Sequence, residues 1–177
     1  DYLSNMSVRD IIKMPDPVLR KKALPLERVD DEVRQLAADM LETMYDAPGI
    51  GLAAPQVAVS RRLIVIDIAR DEEPKNPLVM INPEIISLGD ELRVHEEGCL
   101  SIPDIYAEVD RPGQCRVRYM DEEGVAQEMD CEGLMATVVQ HEIDHLDGVL
   151  FIDHLSRLRR DRLVKKFMKA QRSSEAV

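Results

Sequence analysis

The pentad His141-Glu142-Ile143-Asp144-His145 restricts this chain more than any other stretch. On an α-helix, positions i and i+4 lie on one face, a turn apart. A helix here therefore carries two imidazoles side by side, within reach of a single metal ion. Glu142 stands about 100° round the helix from His141 and reaches a water on the open side of that ion. A catalytic zinc-type site needs three protein ligands and an exchangeable water, so the fold must bring one more ligand from elsewhere. Leu134 and Val138 share the face of His141 and form an apolar wall beside the metal. The competing reading is a surface helix with two solvated histidines. Only four histidines occur in the chain (95, 141, 145 and 154), and the glutamate falls where the chemistry needs it, which favours the metal.

Around the pentad, the pattern predicts helix, strands and helix again. Asp16-Pro17 opens one or two helical turns over Val18 to Ala23. Asp30 starts a longer helix, with Asp31 and Glu32 complementing the helix dipole. Its core stripe is Val33, Leu36, Ala37, Met40, Leu41 and Met44, and Pro48-Gly49 stops it. Leu63 to Ile68 reads as a strand buried on both faces. Further strands follow at Leu78 to Asn82, Ile85 to Leu88, Glu91 to Glu96, Ala107 to Asp110, Cys115 to Met120 and Ala126 to Cys131. Asp121 to Gly124 is the turn of a hairpin between the last two. The pentad helix spans Leu134 to Asp147 and ends at Gly148. Ser156 caps a final helix to about Gln171, with Leu163, Val164, Phe167 and Met168 facing inward. No β-α alternation is present, so the expected class is α+β: mostly antiparallel strands around a central metal-binding helix, with an N-terminal and a C-terminal helix.

Composition sets the bounds. The 177 residues suffice for one domain with a real core, taken as 6–177. Residues 1–5 precede Met6 without any core pattern and read as a non-native remnant or a frayed end. No apolar run approaches the ~18 residues of a membrane span, and no secretory signal pattern opens the chain. Three cysteines without a framework spacing suit a reducing compartment, with Cys115 and Cys131 as core thiols. The net charge of −11 is uneven: residues 157–172 carry eight basic side chains against Asp161 alone. That basic helix, about 156–171, is built to meet something anionic.

The third ligand is open among Cys99, His95, His154, Asp144 and Asp147. Asp144 lies on the far side of the wheel from Glu142 and suits a supporting place behind the ligands. Cys99, between Gly98 and Leu100 at a strand end, places a thiolate where it can face the helix. Gly49 to Val57 is small and uncharged, which suits close backbone approach. Its plainest reading is a tight turn against the core; a buried Gln56 would turn it into a site, because a buried amide must find partners.

Gly49-Ile50-Gly51-Leu52-Ala53-Ala54-Pro55-Gln56, Glu97-Gly98-Cys99-Leu100-Ser101 and Gln140-His141-Glu142-Ile143-Asp144-His145 resemble, in order, the three signature motifs of the peptide deformylase family. The similarity runs from about Met14 through the last helix and looks like the bacterial type. The resemblance implies that Cys99, His141 and His145 bind the metal, with Fe(II) as the physiological ion and zinc, nickel or cobalt able to replace it. It implies that Glu142 is the general acid/base, and that Gln56 and the Leu100 backbone N–H hold the oxyanion. It places Gly51 against the substrate backbone, and Ile50, Leu134, Thr137 and Val138 around the methionine side chain. Glu97, counted among the substrate-side residues, also matches a pair with Arg111 behind the ligands. Tyr106 stands where some members carry Arg, and His95 where some carry an aliphatic residue.

The implied reaction removes formyl from the N-terminal formyl-methionine of new proteins, releasing formate. The implied setting is the bacterial cytoplasm, for a monomer that meets the ribosome through its basic last helix and engages neither DNA nor membrane. Two other classes compete on the motif alone. A general H-E-x-x-H metallopeptidase would cut internal peptide bonds. A non-catalytic metal-stabilised protein would close its site with a fourth protein ligand.

Overall fold

Leu63-Ile64-Val65-Ile66 explains why the main sheet lies between two helices. Successive side chains of a strand point to opposite faces, yet all four are fully buried, so both faces need cover. The computed structural model, which describes residues 7–175, supplies it. The helices are α1 (Asp31–Asp46), α2 (Gly133–Leu146) and α3 (Arg157–Glu175). The strands are β1 (Gly51–Ala53), β2 (Leu63–Ile66), β3 (Leu78–Leu88), β4 (Leu92–Cys99), β5 (Ile102–Pro112), β6 (Gln114–Met120) and β7 (Ala126–Glu132). Five strands form one sheet in the order β1-β2-β3-β6-β7, and β4 and β5 form a separate ribbon. Every ladder between these strands is antiparallel. This is the α+β class expected from the order of elements. The expectation for residues 1–5 falls outside the described residues.

Three cores hold the layers. Leu63 and Val65 of β2 join Val79 and Ile81 of β3 under the α1 stripe of Val33, Leu36, Ala37, Met40 and Met44. Ile64, Ile66, Met80 and Val117 face the other way, onto Ala136, Val139, Ile143 and Leu146 of α2. The third core sets Ile102, Ile105, Ala107 and Val109 of β5 against Phe167 of α3 and the 3-10 turn Phe151–His154. The helix that carries the pentad is thus clamped between the sheet and this turn. Cys115 and Cys131 are buried opposite one another on β6 and β7, as core thiols should be.

Local rules account for the element ends. Asp30 caps α1 by accepting from Val33 N at 3.0 Å, a bond worth about 1 kcal/mol. Asp16 does the same for the 3-10 turn Pro17–Arg20 by accepting from Val18 N. Gly148 ends α2 at φ 75°, and a Cβ there would come within 2.5 Å of the Arg20 carbonyl oxygen, so only glycine fits.

Several boundaries differ from expectation. β5 begins at Ile102 rather than Ala107, and β4 runs to Cys99 rather than Glu96. β2 ends at Ile66 rather than Ile68, and the first helical turn closes at Arg20 rather than Ala23. Leu78 to Asn82 and Ile85 to Leu88 are one strand, continuous through Pro83, with an irregular register between Ile81 and Glu84. Asn82 absorbs the irregularity at φ 51°, and its side chain exchanges two 2.8 Å hydrogen bonds with Leu26. The final helix runs on to Glu175, past Gln171. Among the described residues, no helix is long and apolar enough to cross a membrane.

Candidate metal centre

His141 and His145 sit on the inward face of α2, 8% and 1% exposed. Their rings lie edge to face at 5.0 Å between centroids, the arrangement that i, i+4 spacing on one helix face produces. The third group arrives from β4. Its register with β5 is irregular between Gly98 and Cys99, a place where a bulge re-aims side chains. Cys99 Sγ stands 3.3 Å from His145 Nε2. The donor atoms of Cys99, His141 and His145 all lie within 4.8 Å of one another, and among the described residues they are the one such cluster.

The other sequence candidates for the third ligand are engaged elsewhere. Asp147 pairs with Arg62 at 3.0 Å, and Asp144 accepts from Arg111 and from His154, each at 2.8 Å. His95 borders the same cleft but is no part of the cluster.

These donors suit a divalent ion. Bonds of about 2.0–2.1 Å to nitrogen and 2.3 Å to sulfur at tetrahedral angles separate ligand atoms by about 3.4–3.6 Å, close to the observed sulfur–nitrogen distance. His141 Nδ1 donates to Glu97 Oε1 at 2.9 Å, which leaves Nε2 as the atom that would ligate a metal once its proton is displaced. Burial pushes His145 well below its ordinary pKa, so it is neutral and able to ligate. His141 moves the opposite way. Burial works against its charged form, but Glu142, the Cys99 sulfur and Glu97 outweigh that and raise it well above the usual value. Negative groups gathered round the ring in this way also favour a metal cation beside it.

Glu142 faces the same space from the next helix position, 5% exposed. Its Oε1 is buried without a hydrogen-bond partner among the described residues. Burial pushes its carboxyl up to about 7, with His141 pulling the other way and Glu97 adding to the rise. A cation beside it would draw that value back down. Opposite stands Gly51, where a Cβ would come within 2.5 Å of Glu142 Oε2. The strand has to be glycine there for the carboxylate and the backbone to share the site.

Gln56 is buried, as a site reading of its segment required. Its Oε1 accepts from Ala53 N at 2.9 Å, and its Nε2 donates to Ser101 Oγ at 3.0 Å with Cys99 Sγ 3.6 Å away. The amide is therefore aimed along the edge of the metal centre. Gly51, Gln56, Cys99, His141 and Glu142 open into one cleft of about 540 Å³, bordered also by Ile50, Leu100, Leu134, Thr137 and Val138, with His145 buried behind it. Glu97 borders the cleft too, but both its oxygens are taken. Arg111 Nε donates to Oε2 at 2.7 Å, and Nη2 to Oε1, which His141 shares. Burial would raise this carboxyl, yet His141 and Arg111 pull it down to about 2.

Sequence reading did not find Ser101 as the partner of Gln56, nor the extension from Arg111 to Asp144 and His154. Arg111 did leave a trace. It continues the inward register of Ile105, Ala107 and Val109 on β5, so a charge at that position demanded a buried partner.

A helix-borne pair of imidazoles, a thiolate, and a carboxylate beside an open cleft define a metal-dependent hydrolase. Residues 8–161 match the family model for polypeptide deformylase. The chain belongs to that family, whose members are metal-dependent enzymes that remove the N-formyl group from nascent peptides. The peptide deformylase of Agrobacterium fabrum is 58% identical over 168 residues, covering 95% of this chain and 99% of that protein. That of Brucella suis is 56% identical over 174 residues, covering 97% and 99%. The crystal structure of peptide deformylase from Ehrlichia chaffeensis superposes with a TM-score of 0.90 at 36% identity, covering 95% of this chain and 99% of that one.

Proposed function

We propose that this chain deformylates N-terminal formyl-methionine at the centre formed by Cys99, His141 and His145, with Fe(II) as its working ion. The convergence of those three donors beside Glu142 is the observation that carries the reading. Three clustered donors leave a corner open for solvent and substrate, which a closed structural site would not.

A divalent ion held there supplies Lewis acidity for a carbonyl and lowers the pKa of a water. The protein does the rest. Glu142 takes the attacking water's proton and delivers it to the departing amine. The Gln56 amide, with the Leu100 backbone N–H, stabilises the oxyanion that forms on the formyl carbon; in comparable holes one donor is worth about 2.7–4 kcal/mol. Glu97 keeps His141 in its ligating tautomer rather than binding substrate. Ile50, Leu134, Thr137 and Val138 receive the unbranched methionine side chain.

Gly51, Leu100 and Glu142 border the cleft together, and a wall that close supports the rejection by size of an acyl group larger than formyl. The metal-loaded enzyme therefore releases formate from formyl-Met-Ala-Ser and leaves acetyl-Met-Ala-Ser intact, as a formate and acetate assay will read. Comparable turnover of both peptides overturns the reading. A thiolate ligand beside Fe(II) is open to oxidation. The iron form loses activity in air and the zinc form keeps it; equal decay of the two excludes iron as the distinguishing factor.

The enzyme works as a monomer in the bacterial cytoplasm, on chains leaving the ribosome. We assign α3 to that encounter, since Arg162, Lys165, Lys166 and Lys169 are all exposed on it and suit rRNA phosphates. Phe167 of the same helix is core, so removing the helix would unfold the third core along with the charge. Replacing the four basic residues by glutamine instead weakens co-sedimentation with ribosomes and flattens its salt dependence. Unchanged sedimentation refutes the assignment.

A further inference from the structure

The hydrogen bonds behind His141 continue past Arg111 to the molecular surface. Arg111 holds Glu97 with two nitrogens and, through Nη1, Asp144 Oδ2 at 2.8 Å. The same oxygen accepts from His154 Nε2 at 2.8 Å. Glu97 and Arg111 are 5% exposed in their side chains, whereas Asp144 is 25% exposed. Asp144 is thus the link at which water can enter, and His154 covers its open side.

The segment that supplies His154 is itself fixed. In the 3-10 turn Phe151–His154, Phe151 and Ile152 are 1% exposed. Asp153 is held by Arg20 at 2.6 and 3.2 Å and accepts from Leu150 N at 2.9 Å. The Phe151 ring also lies against His141, 6.1 Å between centroids and 22° from parallel. One short turn therefore meets the same ligand twice, directly by ring packing and indirectly through four side chains.

We propose that His154 is a positioning residue for the metal centre, acting through Asp144 and Arg111 on the hold that Glu97 has on His141. This rests on the reading of Cys99, His141 and His145 as metal ligands. Without the imidazole, the Asp144 carboxylate turns outward to water. Arg111 then keeps its fork on Glu97 but loses the third contact that sets its tilt. Glu97 Oε1, shared between Arg111 and His141, shifts with it, and the His141 ring loses its fixed direction. Groups that orient ligands from behind in this way govern metal retention.

Cobalt-loaded protein tests this in the wild type, His154→Phe and His154→Gln, each alone and combined with Asp144→Ala. The readouts are cobalt loss to a chelator, the sulfur-to-cobalt charge-transfer band, and kcat and KM for formate release. Phenylalanine keeps the ring and removes the donor. Glutamine places an amide nitrogen where the imidazole Nε2 stood. His154→Phe is expected to lose cobalt about threefold to tenfold faster, with kcat lowered and KM unchanged. His154→Gln restores both, and in the Asp144→Ala background the residue at 154 ceases to matter. Wild-type retention in His154→Phe, equal loss in both backgrounds, or glutamine behaving as phenylalanine overturns the proposal. A wild type without the charge-transfer band, or Cys99→Ser with it, overturns the metal-centre reading beneath it.

Discussion

Glu142→Gln is expected to lower kcat for formate release by about 10²–10⁴-fold while the metal stays bound. The substitution keeps the shape of a side chain only 5% exposed, and Glu142 is not among the three clustered donors. What disappears is the capacity to take a proton from water and return it to the amine. Metal content measured beside the kinetics separates lost chemistry from a lost ion. Thermal stability should not fall, because an amide in that buried place avoids the cost of burying a carboxylate, the cost that raises its pKa. Activity within tenfold of wild type at full metal content would remove Glu142 from the mechanism.

The second large effect concerns stability. Arg111→Met leaves the buried Glu97 carboxylate, 6% exposed, without its cation and Asp144 with His154 alone. Breaking one side of a buried pair costs about 3–5 kcal/mol, because the stranded charge keeps its desolvation penalty. Urea unfolding should show the midpoint falling with an unchanged slope. The double variant Arg111→Met/Glu97→Gln should recover part of that loss, since an amide still accepts from His141 Nδ1 without carrying charge. If the double variant is no more stable than the single one, the cost lies in the packing of the long Arg111 side chain rather than in the stranded charge.

Both predictions depend on the same division between local and distant information. The His141 and His145 pair, the place of Glu142 beside them and the wall of Val138 all follow from 3.6 residues per turn. So do the stripe of α1 and its Asp30 cap, which are properties of a dozen consecutive residues. The two-sided burial expected for Leu63 to Ile68 was legible from composition, and it holds over Leu63 to Ile66, where a helix covers each face of the sheet. The motifs beyond the pentad carried the family, and with it an expectation for Cys99.

Residue patterns by themselves left that third ligand open among five candidates, and only the tertiary structure brings the Cys99 sulfur to the helix while binding Asp144 and Asp147 elsewhere. The reason is that periodicity orders a side chain relative to its own segment, whereas a metal centre is ordered by segments far apart in the chain. Gln56 reaches Ser101 across 45 positions, and Arg111 reaches Asp144 across 33. The outer reach of His154 is of the same kind. In the sequence His154 stood only as one of five candidate ligands, and its part in the molecule exists because Asp144 faces it once α2 and that turn have packed.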